Sequence, residues 1–277
     1  RMIARRSGID FRHSVILDAS TEGDACLAQS FYPPPERGTP RTTAERMRAF
    51  ERMAPPVAIE AARRALRDAE PLGAGDPTGI THLVTFSCTG FSAPGIDAAL
   101  VRGLELRRTV ERIHIGFMGC HAAINALRAA RAIVGADGGA RVLLAGVELS
   151  SLHMLASTRR DHLVSACLFG DGAAAAVVAA HPGAPIRILR TGSIVFPDSE
   201  RAMGWTIGDG GFEMTLAESV PDRIGALVGP WVREWLGMGR DDPAFRRLEW
   251  CVHPGGPRVL DVVSESLGLP AEAMLPS

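Results

Sequence analysis

The chain has 277 residues, is 46% hydrophobic, and sets 30 basic against 31 acidic side chains for a formal net charge of −1. That is enough apolar material for a full core, in one large domain or two small ones. A near-neutral balance without a basic block excludes an electrostatic footprint for nucleic acid, and no apolar run reaches membrane-spanning length.

In chain order, residues 1–40 read as irregular, with Phe31-Tyr32-Pro33-Pro34-Pro35 marking an exposed loop. Thr42-Thr43 can cap a helix running through Arg52. Pro55-Pro56 then starts a second helix, with Ala58, Ala61, Ala62, Ala65, Leu66 and Ala69 along one broad face. Ile80 to Ser87 predicts a buried strand, and a short helix follows Pro94. A strand at 112–116 leads to a helix from Cys120 to about Val134. Arg141 to Val147 is a continuous apolar run after Gly138-Gly139, the pattern of a strand covered on both faces. Beyond it come a helix from Asp161 to Phe169 and a strand from Ala173 to Ala180. Strands are expected at 186–196 and 212–216, and a helix from Val220 to Leu236. A strand from Leu248 to Val252 and a helix from Pro257 to Leu267 close the list of elements. The alternation predicts α/β layers.

Every basic residue is arginine, which excludes a lysine Schiff base or a Walker-type phosphate lysine within this stretch. Five cysteines stand at 26, 88, 120, 167 and 251 with no CxxC pair. An odd count without paired spacing argues against a disulfide framework or a zinc ribbon and makes a reducing cytoplasm the default location. No cluster with metal-ligand spacing occurs, so no metal is expected.

Two sites carry chemistry. Ile113-His114-Ile115-Gly116-Phe117-Met118-Gly119-Cys120 places a thiol at a strand-to-helix turn. There the helix N-terminus favours the thiolate, the nucleophilic form. Position alone leaves a second reading open, that of a small buried hydrophobe. Trp250-Cys251-Val252-His253-Pro254-Gly255-Gly256-Pro257 places a histidine after a short apolar run, before a glycine-rich turn. Loops beyond strand ends are where α/β proteins gather reactive groups. A histidine that only hydrogen-bonds its turn fits the same pattern.

The order of five motifs goes further. These are Phe86-Ser87-Cys88-Thr89-Gly90-Phe91-Ser92-Ala93-Pro94-Gly95, Gly116-Phe117-Met118-Gly119-Cys120, Leu168-Phe169-Gly170-Asp171-Gly172, Phe196-Pro197-Asp198-Ser199-Glu200 and His253-Pro254-Gly255-Gly256-Pro257. Together they resemble the type III polyketide synthases, the chalcone and stilbene synthase family. Met203-Gly204-Trp205 and Gly211-Phe212-Glu213-Met214 look more like bacterial members than plant ones.

The resemblance implies a thiolase-like fold, a five-layer αβαβα arrangement of two similar halves, here about 1–180 and 181–277. It implies a homodimer that takes acyl-CoA and malonyl-CoA, with no redox or metal cofactor. By motif, Cys120 would be the nucleophile and His253 its catalytic partner. Phe169 and Met214 would be gatekeepers. Cys88, His153 and Trp205 would line the cavity, and Ala93 falls where plant enzymes place a Met that reaches into the partner subunit. Gly255, Gly256, Pro257 and Arg258 would form a CoA-binding loop. The family's third catalytic residue, an Asn in Gly-Asn-Met-Ser, is expected beyond Ser277, and further segments are expected on both sides of this stretch. Without them the stretch is expected to have little activity. Rival readings are a single-condensation ketoacyl synthase III-like enzyme, a cysteine hydrolase of α/β type, and a non-catalytic remnant that dimerises.

Overall fold

The computed structural model describes residues 7–18, 28–34, 39–239 and 242–274. Cys26 lies outside them.

Helix α1 spans Thr43–Ala69. Thr42 accepts the Glu45 amide through its side chain while the Glu45 carboxylate takes the Thr42 amide, a reciprocal capping box. The expected break at Pro55-Pro56 does not occur, and one 27-residue helix runs through both prolines. Each proline forfeits one i→i−4 bond. The burial of Ala49, Ala54, Ala58 and Ala62 against the sheet holds the helix continuous all the same.

The sheet has the order β2-β1-β3-β4, with β1 at His82–Ser87, β2 at Glu111–Gly116, β3 at Arg141–Leu149 and β4 at Asp171–Ala179. Strands β2 and β3 lie parallel on either side of β1, and β4 runs antiparallel to β3. Helix α2 (Ile96–Gly103) connects β1 to β2, and α3 (Ala122–Ala136) connects β2 to β3. The strand period of two sorts side chains onto two faces. Leu83, Leu143, Ala145 and Val147 join α1 and α2 in one core, whereas Val84, Val142 and Leu144 meet Ala126 and Ala130 of α3 in the other. The result is a helix–sheet–helix sandwich whose loops beyond the strand ends carry the candidate site.

Helix α4 (Arg160–Leu168) precedes β4. Asp171, which opens β4, is buried and accepts from the Val15 and Ser151 amides and from the Ser151 hydroxyl. It thereby ties the N-terminal segment to the end of β3. A hairpin follows, β5 at Met203–Gly208 and β6 at Gly211–Leu216, closed over Asp209-Gly210. Only its second strand is expected from the sequence.

Helices α5 (Val220–Leu236) and α6 (Pro257–Leu267) pack around Val232, Phe245, Val263 and Leu267. Their approach requires Gly229, since a Cβ there would lie 2.1 Å from the Ser266 carbonyl oxygen.

The α/β class is as expected, but the second half departs from the expected repeat. Segments 186–196 and 248–252 form no strand, and Ile186, Leu189 and Val195 are exposed. Apolar alternation makes a strand only where a neighbour supplies the ladder's hydrogen bonds. Among the described residues none runs alongside either segment. No helix of the described residues is long and apolar enough to cross a membrane.

Candidate active site

Cys120 sits where the sequence places it, between β2 and α3. After Gly116 the backbone turns sharply: Phe117 is held at φ +58° and Gly119 at φ +66°, left-handed values that a bulky residue such as Phe rarely adopts. The Phe117 amide bonds the Ser87 carbonyl at the end of β1. Its ring packs against Phe91 and Phe212. Gly119, Cys120 and His121 form one 3₁₀ turn before α3.

The neighbouring loop, Cys88-Thr89, follows β1. Cys88 is buried, and its Sγ accepts the Gly119 amide at 3.2 Å. The two thiols thus flank a single peptide. Behind them stands Glu148, near the end of β3. Its carboxylate accepts from the Cys88 amide at 2.8 Å and from the Thr89 hydroxyl at 2.6 Å. Sequence reasoning missed this residue. The available signal was a lone acid in the otherwise apolar run Val142–Leu149.

Desolvation, and Glu148 after it, oppose the electrostatics expected of this turn. Cys120 is exposed to solvent on one side, but the protein packed around its sulfur desolvates the thiolate and pushes the thiol above its ordinary pKa, the Glu148 charge pushes it further, and a backbone hydrogen bond opposes them. Cys88 is raised by the same two causes in the same order. The turn at the helix N-terminus therefore does not yield the stabilised thiolate that position suggests, because desolvation and a like charge outweigh it. The Glu148 carboxyl is itself raised by burial, against the hydrogen bonds it receives.

The hairpin closes the other side of the loop. Trp205 donates its indole N–H to the Cys88 carbonyl at 2.8 Å, and lies opposite Met214 across β5–β6. His153, at the end of a 3₁₀ turn after β3, is 5% exposed. Its Nε2 lies 2.7 Å from the Thr89 carbonyl, and its Nδ1 accepts the Phe212 amide at 3.1 Å. Burial pulls it down to about 4, with the Arg46 charge a smaller cause in the same direction. Arg46 is itself almost fully buried and bonds the Arg41, Leu152 and Met154 carbonyls and the Tyr32 hydroxyl. Expected to line a cavity, His153 is instead enclosed, with both ring nitrogens engaged. Its side chain stacks on Phe212 at 4.1 Å between centroids.

The remaining expected residues are more dispersed. Phe169 ends α4, and its neighbour Leu168 lies beside Gly256, so the His253 loop borders the α4–β4 junction. Cys120 and His253 share no hydrogen bond. His253 is accessible, and partial desolvation lowers its pKa. In that loop the Gly255 amide bonds the His253 carbonyl, and Gly256 turns at φ +137° before Pro257 opens α6. Arg258 is paired with Asp222 at 2.6 Å. Ala93 is exposed and borders a cleft of about 280 Å³ between α1 and α2, away from Cys120. Cys88, Cys120 and Cys167 are free thiols. Among the described residues no group of three or more His, Cys, Asp or Glu is placed to hold a metal ion.

Comparison with known proteins agrees with this geometry. The family model for the N-terminal domain of chalcone and stilbene synthases matches residues 35–182, and the model for the C-terminal domain matches 187–277. The α-pyrone synthesis polyketide synthase-like protein Pks18 of Mycobacterium tuberculosis is 33% identical over 246 residues, 85% of this chain and 60% of that protein. This chain thus spans about three fifths of that relative's length. The C-terminal type III polyketide synthase domain of Steely1 from Dictyostelium superposes with a TM-score of 0.84 at 27% identity, covering 99% of this chain and 74% of that one. The 1,3,6,8-tetrahydroxynaphthalene synthase of Streptomyces coelicolor gives 0.77 at 32% identity, covering 85% and 66%. With both family models matched in order, a thiolase-like α/β fold and a cysteine at the strand-to-helix turn, the chain belongs to the chalcone and stilbene synthase family.

Proposed function

We propose that this chain carries the nucleophile of a type III polyketide synthase acting on CoA thioesters. The observation that carries this reading is Cys120 on its strained turn, within a chain matched by both family models. The Cys120 sulfur attacks the carbonyl of an acyl-CoA, and its proton passes to the His253 imidazole. The C–S bond to CoA breaks, and CoA leaves as a thiol after taking that proton. Malonyl-CoA then loses CO₂, and the electron pair of the broken C–C bond becomes an enolate. This carbon attacks the acyl–Cys120 carbonyl, a C–C bond forms and the Cys120 thiolate leaves. The Cys120 thiolate then takes the β-ketoacyl group back from CoA, CoA leaves with a proton from solvent, and further rounds build a poly-β-keto chain that cyclises to a pyrone, a resorcinol or a related polyphenol. Decarboxylation places the charge on the enolate, condensation passes it to the Cys120 sulfur, and the imidazole relays the proton, so the reaction as proposed uses neither metal nor redox cofactor.

Phe169 and Met214 are proposed as gatekeepers. Gly255, Gly256, Pro257 and Arg258 are proposed as the CoA-binding loop, in which Arg258 must exchange Asp222 for a phosphate. The raised thiol and the lowered imidazole both favour their neutral forms, so in this reading His253 takes the proton as the Cys120 sulfur bonds to the carbonyl. A homodimer is proposed along β2. Its outer edge pairs with no strand among the described residues, and Ile113, Met118 and Ile124 around it are exposed.

Intact mass of the full-length protein after mixing with an acyl-CoA tests the reading. One acyl adduct is expected on the wild type and none on Cys120→Ala. An adduct of equal yield in that variant sinks the assignment.

A further inference from the structure

We propose that His153 is a positioning residue, a neutral hydrogen-bonded strut that sets the Cys120 turn from the β5–β6 hairpin without touching substrate. The partners dictate its form. A carbonyl oxygen only accepts and an amide N–H only donates. The Thr89 carbonyl therefore demands a proton on Nε2, and the Phe212 amide demands a lone pair on Nδ1. One tautomer meets both demands, and a protonated ring would set an N–H against the Phe212 N–H.

What the strut joins gives it a role. Phe212 lies two residues before Met214 on β6, and its ring carries His153 in a stacked contact. Thr89 is the residue whose hydroxyl bonds Glu148 and accepts the Leu149 amide. Its neighbour Cys88 takes the Trp205 indole on its carbonyl and the Gly119 amide on its sulfur. Gly119 precedes Cys120. Trp205 on the hairpin and His153 bonded to it at Phe212 thus hold two successive carbonyls, Cys88 and Thr89, while Glu148 holds the same loop from β3. A displacement of the hairpin passes through His153 and Trp205 to the peptide that carries the nucleophile. The charged group facing His153 is Arg46 on α1, with aromatic rings from β5 and β6 on its other sides.

The inference rests on the acyl-transfer reading for its kinetic arm alone. His153→Phe keeps the ring stack and removes both hydrogen bonds. Trp205→Phe removes only the bond to Cys88. In single-turnover acylation each variant is expected to lose roughly tenfold or more in the maximal rate, because small misplacements of a reacting atom are costly. The half-saturating acyl-CoA concentration should stay within about twofold, since binding is not what the strut sets. The loss should be the same for acetyl-CoA and for a long-chain acyl-CoA. A change confined to half-saturation, or one that grows with acyl length, marks a cavity-lining residue and overturns the proposal. Alkylation of Cys120 by iodoacetamide reads the same turn without CoA chemistry. If the wild type takes up no acyl group, the synthase reading fails and the strut is judged on alkylation, where an unchanged rate in His153→Phe refutes it. Nitrogen NMR of the wild type guards against misfolded variants: a protonated Nε2 with a bare Nδ1 is expected, and the opposite tautomer refutes the strut.

Discussion

Glu148 is the residue that most alters the chemistry read from the chain. A cysteine at a helix N-terminus ordinarily gains thiolate character, yet here burial and the carboxylate hold the thiol protonated to higher pH. Glu148→Gln keeps an acceptor for the Cys88 amide and removes the charge. It is expected to speed iodoacetamide alkylation of Cys120 at pH 8 several-fold, since one unit of thiol pKa is about tenfold in thiolate. An unchanged rate would leave burial as the sole cause. His153 makes a second pH-dependent contribution. Unfolded, it takes a proton below about 6.5; folded, it resists to about 4. The unfolded chain binds more protons across that window, so stability is full above about 6.5 and falls as pH drops toward 4. The loss is on the order of 3 kcal/mol. Urea midpoints from pH 7 to 4 should therefore fall more steeply for the wild type than for His153→Phe.

At the scale of elements, the strands whose apolar runs are long and the helices with clear caps were legible. Thr42 and Glu45 announced the start of α1, and Arg141–Leu149 read as buried on both faces. Pro55-Pro56 misled because local propensity reports a lost hydrogen bond and not the sheet that the helix packs against. Strand β5 was hard to read because Gly204 and Gly208 weaken the alternation of Met203, Trp205 and Ile207, and glycine in a strand lowers its intrinsic preference for that form. It pairs through the hairpin turn and the partner strand opposite. Segments 186–196 and 248–252 erred the other way, apolar enough for strands but with no described neighbour. Gly229 shows how close helix packing hides in sequence. Gly229→Ala would place a methyl into the Ser266 backbone, and overpacking of this kind costs about 1–3 kcal/mol. Thermal denaturation should show a lower Tm, and an unchanged Tm would mean that α5 and α6 can slide apart freely.

For the whole molecule, the loops beyond the strand ends gather what the chain separates. Cys88, Cys120, Glu148, His153 and Trp205 come from four stretches of the chain and meet around one turn. The proposed dimer belongs to this scale. Ile113→Arg on the open β2 edge is expected to convert a dimer to monomer in sedimentation velocity, and a dimer that persists would place the interface elsewhere. By itself the sequence determined the α/β class, the family, and the place of Cys120 between a strand and a helix. Those depend on residue type and on spacing along the chain. Only the tertiary structure decided the state of that thiol, the enclosure of His153 and the service of Glu148 behind both cysteines. Burial and charge act through space, and no motif records which distant carboxylate or carbonyl a fold will bring alongside.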